Sequence, residues 1–227
     1  MRSNPNSLPP GICRCCRIRS SGRPLTARPT GAPRRPRNDR ARREILVFTE
    51  GARTEEGYLL PWRREFRDRL LISVDPFHGV PMSLVNEAVK TKKDELRDQR
   101  RGRGRAHDEI WCMFDIDANP NVREAIQKAE DNGIYLAISN PCVELWFILH
   151  FEDKTSFISR QDAQSRSSEL LGCGKNLSRR AMDLLFDRFE DARQRARSLD
   201  IKHEGDGSRP GTNPSSGVWK LIESIKQ

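Results

Sequence analysis

The sequence predicts an α/β protein: an open, mainly parallel sheet flanked by helices, followed by a C-terminal helical extension. Three observations lead there. From Glu44 to about Phe151, strand-forming runs alternate with helical patterns in the order β-α-β-α-β-α-β-α, which suits a parallel sheet covered by helices. Two of the strand runs end in acids, Thr49-Glu50-Gly51 and Phe114-Asp115-Ile116-Asp117, where parallel strands bring their carboxyl ends to one edge. No apolar run approaches the roughly 18–20 residues that span a bilayer, so a soluble, cytoplasmic protein without membrane contact is expected.

The chain of 227 residues divides into three parts. Residues 1–43 form a basic Arg/Pro-rich tail, 44–155 the α/β core, and 156–227 the helical extension. The tail carries twelve Arg against one Asp, whereas residues 44–227 carry 29 Lys and Arg against 31 Asp and Glu. The basic character of the whole chain therefore belongs to the tail. Its composition predicts disorder, or in part an over-extended start. A basic arm binds nucleic acid through counterion release without reading sequence. A membrane surface is the less fitting partner, because no amphipathic helix accompanies the arm. No apolar segment follows the basic start, so no secretory signal is expected.

The elements follow in order. Glu44–Phe48 is a strand, Gly51 turns the chain, and Thr54 is the expected N-cap of a helix to about Leu70, with a kink or restart at Pro61. Leu71–Val74 is a second strand, and Ser83 is the expected cap of a helix through Leu84, Val85, Ala88 and Leu96. The run Arg97–Arg105 reads as a mobile loop. Residues 109–114 form the third strand, and a helix over about 121–131 stops at Asn132-Gly133. Ile134–Ile138 is the fourth strand, and Pro141 is expected in the first turn of a helix to about Phe151. Residues 160–200 read as charged helices, His203–Pro214 as a loop, and Val218–Ile225 as a last helix.

Six cysteines stand at 13, 15, 16, 112, 142 and 173. No CxxC pair occurs and no His lies near the first three, so zinc is not expected there. Cys112 and Cys142 read as small buried hydrophobes of a reducing compartment.

Chemistry is concentrated in the acids. Asp115 and Asp117 point to one face of their strand, where two carboxylates suit a shared hard ion such as Mg²⁺ or Mn²⁺. Glu50 ends an apolar strand just before a glycine that lets a ligand approach closely. Three carboxylates together repel unless a cation is shared among them, so Glu50, Asp115 and Asp117 are the predicted metal ligands and catalytic acids. Glu144, alone among apolar neighbours, needs a partner and is the fourth catalytic candidate. Asn140 before Pro141 suits either an N-cap or a substrate contact. Arg53 and the loop arginines Arg100, Arg101, Arg103 and Arg105 are candidate phosphate clamps. His150 reads mainly as a half-buried structural histidine.

Glu50-Gly51-x-x-Thr54-Glu55, Asp115-Ile116-Asp117 and Ser139-Asn140-Pro141-Cys142-x-Glu144-Leu145-Trp146-Phe147-x-Leu149-His150-Phe151 together resemble the RloB-like family. Asn213-Pro214-Ser215-Ser216-x-Val218 resembles its C-terminal element, with Ser216 where Thr is usual. The resemblance covers roughly 44–227. It implies a Toprim-like fold, an acid at Glu50, a metal-binding pair at Asp115 and Asp117, and a setting beside restriction or other anti-phage genes. Many Toprim proteins carry further acids after the Asp-x-Asp pair. Here Asn119 and Asn121 follow, and Glu144 is the candidate for that role.

The expected function is Mg²⁺-dependent phosphodiester cleavage of DNA or RNA. Glu50 acts in it as base, acid or metal ligand. The alternatives are a non-catalytic nucleic-acid sensor, a subunit activated by an ATPase-type partner, and a nucleotidyl-transfer enzyme using the same acids. Self-association through the 160–200 surface is a further expectation.

Overall fold

The computed structural model describes residues 42–116, 121–208 and 211–227. The tail up to residue 41 with Cys13, Cys15 and Cys16, together with Asp117 and Asn119, lies outside the described residues.

The sheet holds β1 (Arg43–Thr49), β2 (Leu70–Val74), β3 (Glu109–Asp115), β4 (Tyr135–Asn140) and β5 (Ser215–Ser216), in the order β2-β1-β3-β4-β5. The first four are parallel, and β5 pairs antiparallel with β4. From β1 the chain moves outward to β2, then crosses back to the far side of β1 for β3 and β4. That reversal opens a crevice between the carboxyl ends of β1 and β3, where open α/β sheets place their ligands. Thr49 is in register with Met113 and Asp115 with Ser139, so Glu50 and Asp115 flank this switch point.

The strands read as continuous apolar runs because both faces are covered. Ile45, Val47, Trp111 and Met113 pack on one side with α1 (Thr54–Glu65) and α4 (Val143–Leu149). Leu46, Phe48, Cys112 and Phe114 pack on the other with α2 (Pro81–Arg100) and α3 (Val122–Asp131). Every residue of α4 is buried. A helix apolar but for Glu144 needs cover on nearly every side, which α5 (Arg160–Leu171) and α7 (Phe189–Gly205) supply, while α6 (Arg179–Asp187) packs on α1. The helix α8 (Val218–Lys226) buries Val218, Leu221, Ile222 and Ile225 in the same core. Residues 156–227 thus share one core with the residues before them, and β5 extends the sheet itself.

Several local expectations are corrected. The first helix ends at Glu65 because Leu70 already belongs to β2, and Pro61 lies inside it without ending it. Thr54 is not its N-cap: Arg53 holds that position, and the Thr54 hydroxyl donates to the Lys175 carbonyl (2.9 Å). Ser83 is not a cap either, since Pro81 opens α2 two residues earlier, the position that needs no N–H. The helix α2 runs on through Arg100, so only residues 101–105 of the basic stretch lie in a loop, which continues to 108. Pro141 and Asn140 precede the helix rather than starting it, and Cys142, in extended backbone, leads into Val143. The helix α7 continues to Gly205, beyond the expected loop start at His203. The α3 stop is as expected, with Gly133 at φ +61°.

Candidate active site

The Thr49-Glu50-Gly51 turn is held by four hydrogen bonds that converge on the switch point. Thr49 Oγ1 donates to the Gly51 carbonyl (2.9 Å) and the Glu50 N–H to the Met113 carbonyl (3.0 Å). The Gly51 N–H donates to Glu55 Oε1 (3.2 Å), and the Asp115 N–H to Glu50 Oε2 (3.0 Å). A Cβ at 51 would come within 2.7 Å of the Glu55 carboxylate and would push it out of this arrangement. The two acid-bearing strand ends are therefore tied together directly, through a carboxylate of one and the backbone of the other.

Among the described residues, four carboxylates meet here. Glu50, Asp115 and Glu144 were expected, the last rising from the first turn of α4, and Glu55 is buried in the first turn of α1. Burial pushes the Asp115 carboxyl up to about 8; Arg160 opposes the rise, and Glu50, Glu55 and Glu144 add to it. Glu55 is raised as well, by burial first and by Glu144 and Glu50 beside it, against hydrogen bonds from its own N–H and that of Gly51. The Cys142 thiol hydrogen-bonds to Glu144 and is driven upward by its burial.

Among the described residues, a single cation enters this cluster. Arg160, the first residue of α5, donates from Nη2 to Asp115 Oδ2 (2.8 Å). Its backbone is set from two directions. Ser159 caps α5 by accepting from the Asp162 N–H (3.1 Å). Asn213 clasps Ile158, its Oδ1 accepting from the Ile158 N–H (3.1 Å) and its Nδ2 donating to the Ile158 carbonyl (2.9 Å).

All four acids are hard oxygen donors, the ligand chemistry of Mg²⁺ and Mn²⁺. The repulsion they impose on Asp115 is what a shared cation relieves, so the donor set fits such an ion. Among the described residues, no three Asp, Glu, His or Cys side chains converge closely enough to form a cage as they stand.

The other predicted site residues are distributed unevenly. Arg53 is exposed at the start of α1, on the acidic edge. Asn140 ends β4, but its Nδ2 donates to the Gly211 carbonyl (2.7 Å), so it is neither the expected cap nor a free amide. Arg100, Arg101, Arg103 and Arg105 lie at the end of α2 and in the loop entering β3. That is the amino edge of the sheet, the side away from the acids, so these arginines are not brought to the acid cluster as phosphate clamps. Its surroundings there include Glu44, 4.0 Å from Arg105. His150 is fully buried; its Nδ1 donates to the Trp146 carbonyl (2.8 Å), and burial holds the ring at about 3, so it is a neutral core residue.

Two contributors were missed in the sequence. Glu55 had a signal, an acid four residues after the turn glycine and at the start of a helix. Arg160 had none, because it lies 45 residues from Asp115 and its neighbours are an ordinary charged helix. His78 is also brought to this rim, where its Nδ1 donates to the Thr49 carbonyl (3.0 Å).

The model for the RloB-like protein family matches residues 45–225. The chain belongs to that family. None of the curated proteins compared with the chain matches it. The match spans the whole sheet and all eight helices but for the ends of β1 and α8. In this RloB-like protein the late Asn213-Pro214-Ser215-Ser216 segment has structural tasks at the site. Asn213 fixes the segment that carries Arg160, and Ser216 Oγ meets Ser139 Oγ (3.0 Å) in the register position beside Asp115.

Proposed function

We propose that this RloB-like protein is a divalent-metal-dependent nuclease of Toprim type that cleaves phosphodiester bonds in DNA or RNA. The observation that carries this reading is the cluster of Glu50, Glu55, Asp115 and Glu144 at the switch point, with Asp115 raised to about 8 by burial and by its acidic neighbours. Such concentrated carboxylates at a crevice are costly to the fold unless the site uses them. Asp115 and Glu50 would hold Mg²⁺ or Mn²⁺, together with Asp117, which lies outside the described residues. An ion held there supplies charge neutralisation at the scissile phosphate and at the leaving oxygen.

The chain's own groups supply the rest. Glu50 Oε2 is oriented by the Asp115 N–H, and its carboxylate is available to accept a proton from an attacking water or to bind the ion. Arg160 brings a guanidinium to the Asp115 carboxylate and is suited to clamp a phosphate oxygen when one enters. Arg53 is the second basic group on this edge. The test is incubation of the full chain with plasmid, single-stranded DNA and RNA in Mg²⁺, Mn²⁺ or EDTA, beside Asp115→Ala. Metal-dependent cleavage lost in the variant is expected. Equal cleavage by both proteins would sink the proposal.

A second reading has one observation in its favour. Because Arg160 pairs with Asp115, the resting site favours a protein held inactive until substrate or a partner, such as an ATPase-type defence subunit, draws the arginine away. Arg160→Ala is then expected to raise Mn²⁺ affinity in calorimetric titration, and an unchanged affinity counts against this form.

A further inference from the structure

Beyond α3 the second face of the sheet is left partly open, and a cavity of about 640 Å³ lies there against the edge strands. Its floor is aliphatic: Leu136 and Ile138 from β4, Ile126 from α3, and Ile116 from the end of β3. The C-terminal turns of α7 close one side with Asp200, His203 and Glu204.

His203 is the informative residue. It is 5% exposed, and its Nε2 lies 2.9 Å from the Pro214 carbonyl. A carbonyl only accepts, so Nε2 carries a proton, and in a singly protonated ring Nδ1 is then an acceptor. That Nδ1 is buried with no hydrogen-bond partner among the described residues. A buried polar atom without a partner costs roughly 1–3 kcal/mol, and a ligand donor would remove that cost. Asp200 beside it is half-buried, its carboxyl raised by burial against the pull of Lys220.

We propose that this cavity is a nucleobase pocket, taking a base with an exocyclic amino group from a nucleic-acid strand or a free nucleotide. Aliphatic walls accept a flat ring, as in sites that hold an unstacked base. The polar end is rich in acceptors, namely His203 Nδ1 and the Asp200 and Glu204 carboxylates, which suits the amino groups of adenine, cytosine and guanine. The same carboxylates, with Glu130 also lining the cavity, outnumber Lys220 among the lining residues, repel phosphate and keep it outside. Ile116 follows Asp115 directly and points to the opposite face of the pleat. A strand crossing the end of β3 can therefore lay a phosphate at the acids and its base in the cavity. The strand-borne form rests on the nuclease reading above; the pocket does not.

The test is nucleoside binding to the full chain in EDTA, followed by ligand-observed NMR with adenosine, cytidine, guanosine and uridine. Amino-bearing nucleosides are expected to bind, with uridine about tenfold weaker or worse. His203→Gln keeps a donor for the Pro214 carbonyl but removes the Nδ1 acceptor, and is expected to weaken binding about tenfold. Ile126→Trp fills the cavity from α3 and is expected to abolish binding, with melting curves confirming that both variants fold. Displacement of bound adenosine by an oligonucleotide, measured on Asp115→Asn, assigns the base to a strand; failure of displacement assigns it to a free nucleotide. Absence of nucleoside binding by the wild type, equal binding of uridine, or binding unchanged in both variants overturns the proposal. Nucleoside binding without any cleavage would remove the nuclease reading and leave the pocket standing, and cleavage without nucleoside binding would do the reverse.

Discussion

Glu109 and Asp115 stand at opposite ends of β3, both largely buried and both paired with an arginine, yet their carboxyls move in opposite directions. At the amino edge, burial raises Glu109, but hydrogen bonds from Ser224 Oγ (2.6 Å), Trp111 Nε1 (2.7 Å) and Arg43 outweigh it and hold the group below the ordinary range. At the carboxyl edge, burial raises Asp115, and one arginine faces three further acids. The first carboxylate is fully satisfied by the fold and joins β1, β3 and α8. The second is left in a field that the fold does not neutralise. Satisfaction of hydrogen-bonding capacity, rather than burial or the presence of a salt bridge, separates a structural acid from a candidate functional one.

The contrast can be broken most directly by exchanging the two losses. Asp115→Ala is expected to lower metal-dependent cleavage by about 10²–10⁴-fold with the fold retained, as read by initial rates beside circular dichroism. Glu109→Ala should leave the specific activity of folded protein unchanged and cost about 2–3 kcal/mol in urea unfolding. The reverse assignment of the two effects would refute the distinction.

Next in size is the dependence of stability on pH. Asp115 is raised in the fold, so between about pH 4 and 8 the folded state binds a proton that the unfolded state has released. Its contribution is complete at low pH and is lost as pH rises toward 8. Glu109 is depressed, so its contribution is present above the ordinary carboxylate range and is lost as pH falls through its lowered folded value. Melting curves in EDTA should therefore show Asp115→Asn flattening the decline between pH 5 and 8. Glu109→Gln should instead remove a loss of stability on the acid side. Superimposable profiles for wild type and both variants would contradict this.

A smaller effect is expected at Glu55. Its amide replacement keeps an acceptor for the Gly51 N–H and removes one of the repelling charges. Glu55→Gln should therefore raise metal-free stability by about 1 kcal/mol while lowering cleavage about tenfold. A loss of stability would show that this charge is compensated. The smallest effect belongs to the amino-edge loop. Arg101, Arg103 and Arg105 changed together to Ala should alter cleavage by less than about twofold and flatten the salt dependence of nucleic-acid binding only slightly. A large fall in cleavage would mean that substrate wraps from one edge of the sheet to the other.

Much of the fold was legible because it rests on local patterns. Apolar runs such as Ile45–Phe48 and Ile110–Phe114 are strands in any context that covers both faces, and Asn132-Gly133 stops a helix for backbone reasons alone. Errors gathered at helix boundaries. Thr54, Ser83 and Asn140 all have side chains suited to capping, but Thr54 and Asn140 bond to segments distant in the sequence, and Ser83 is pre-empted by Pro81. The two-residue strand β5 carries no periodicity and exists only because β4 offers it an edge.

By itself, the sequence determined the alternation of strands and helices, the family, and the placement of Glu50 and Asp115 at strand ends, since these follow from short-range pattern and chain direction. Tertiary structure alone decided that Glu55 joins those acids, that Arg160 answers them across 45 residues, that the arginine loop lies at the other edge, and that His203 keeps a nitrogen without a partner among the described residues beside a cavity. The physical reason is common to all four. Charge, burial and hydrogen-bond satisfaction depend on distances through space, and those distances are set only when strand order and helix packing bring remote segments together.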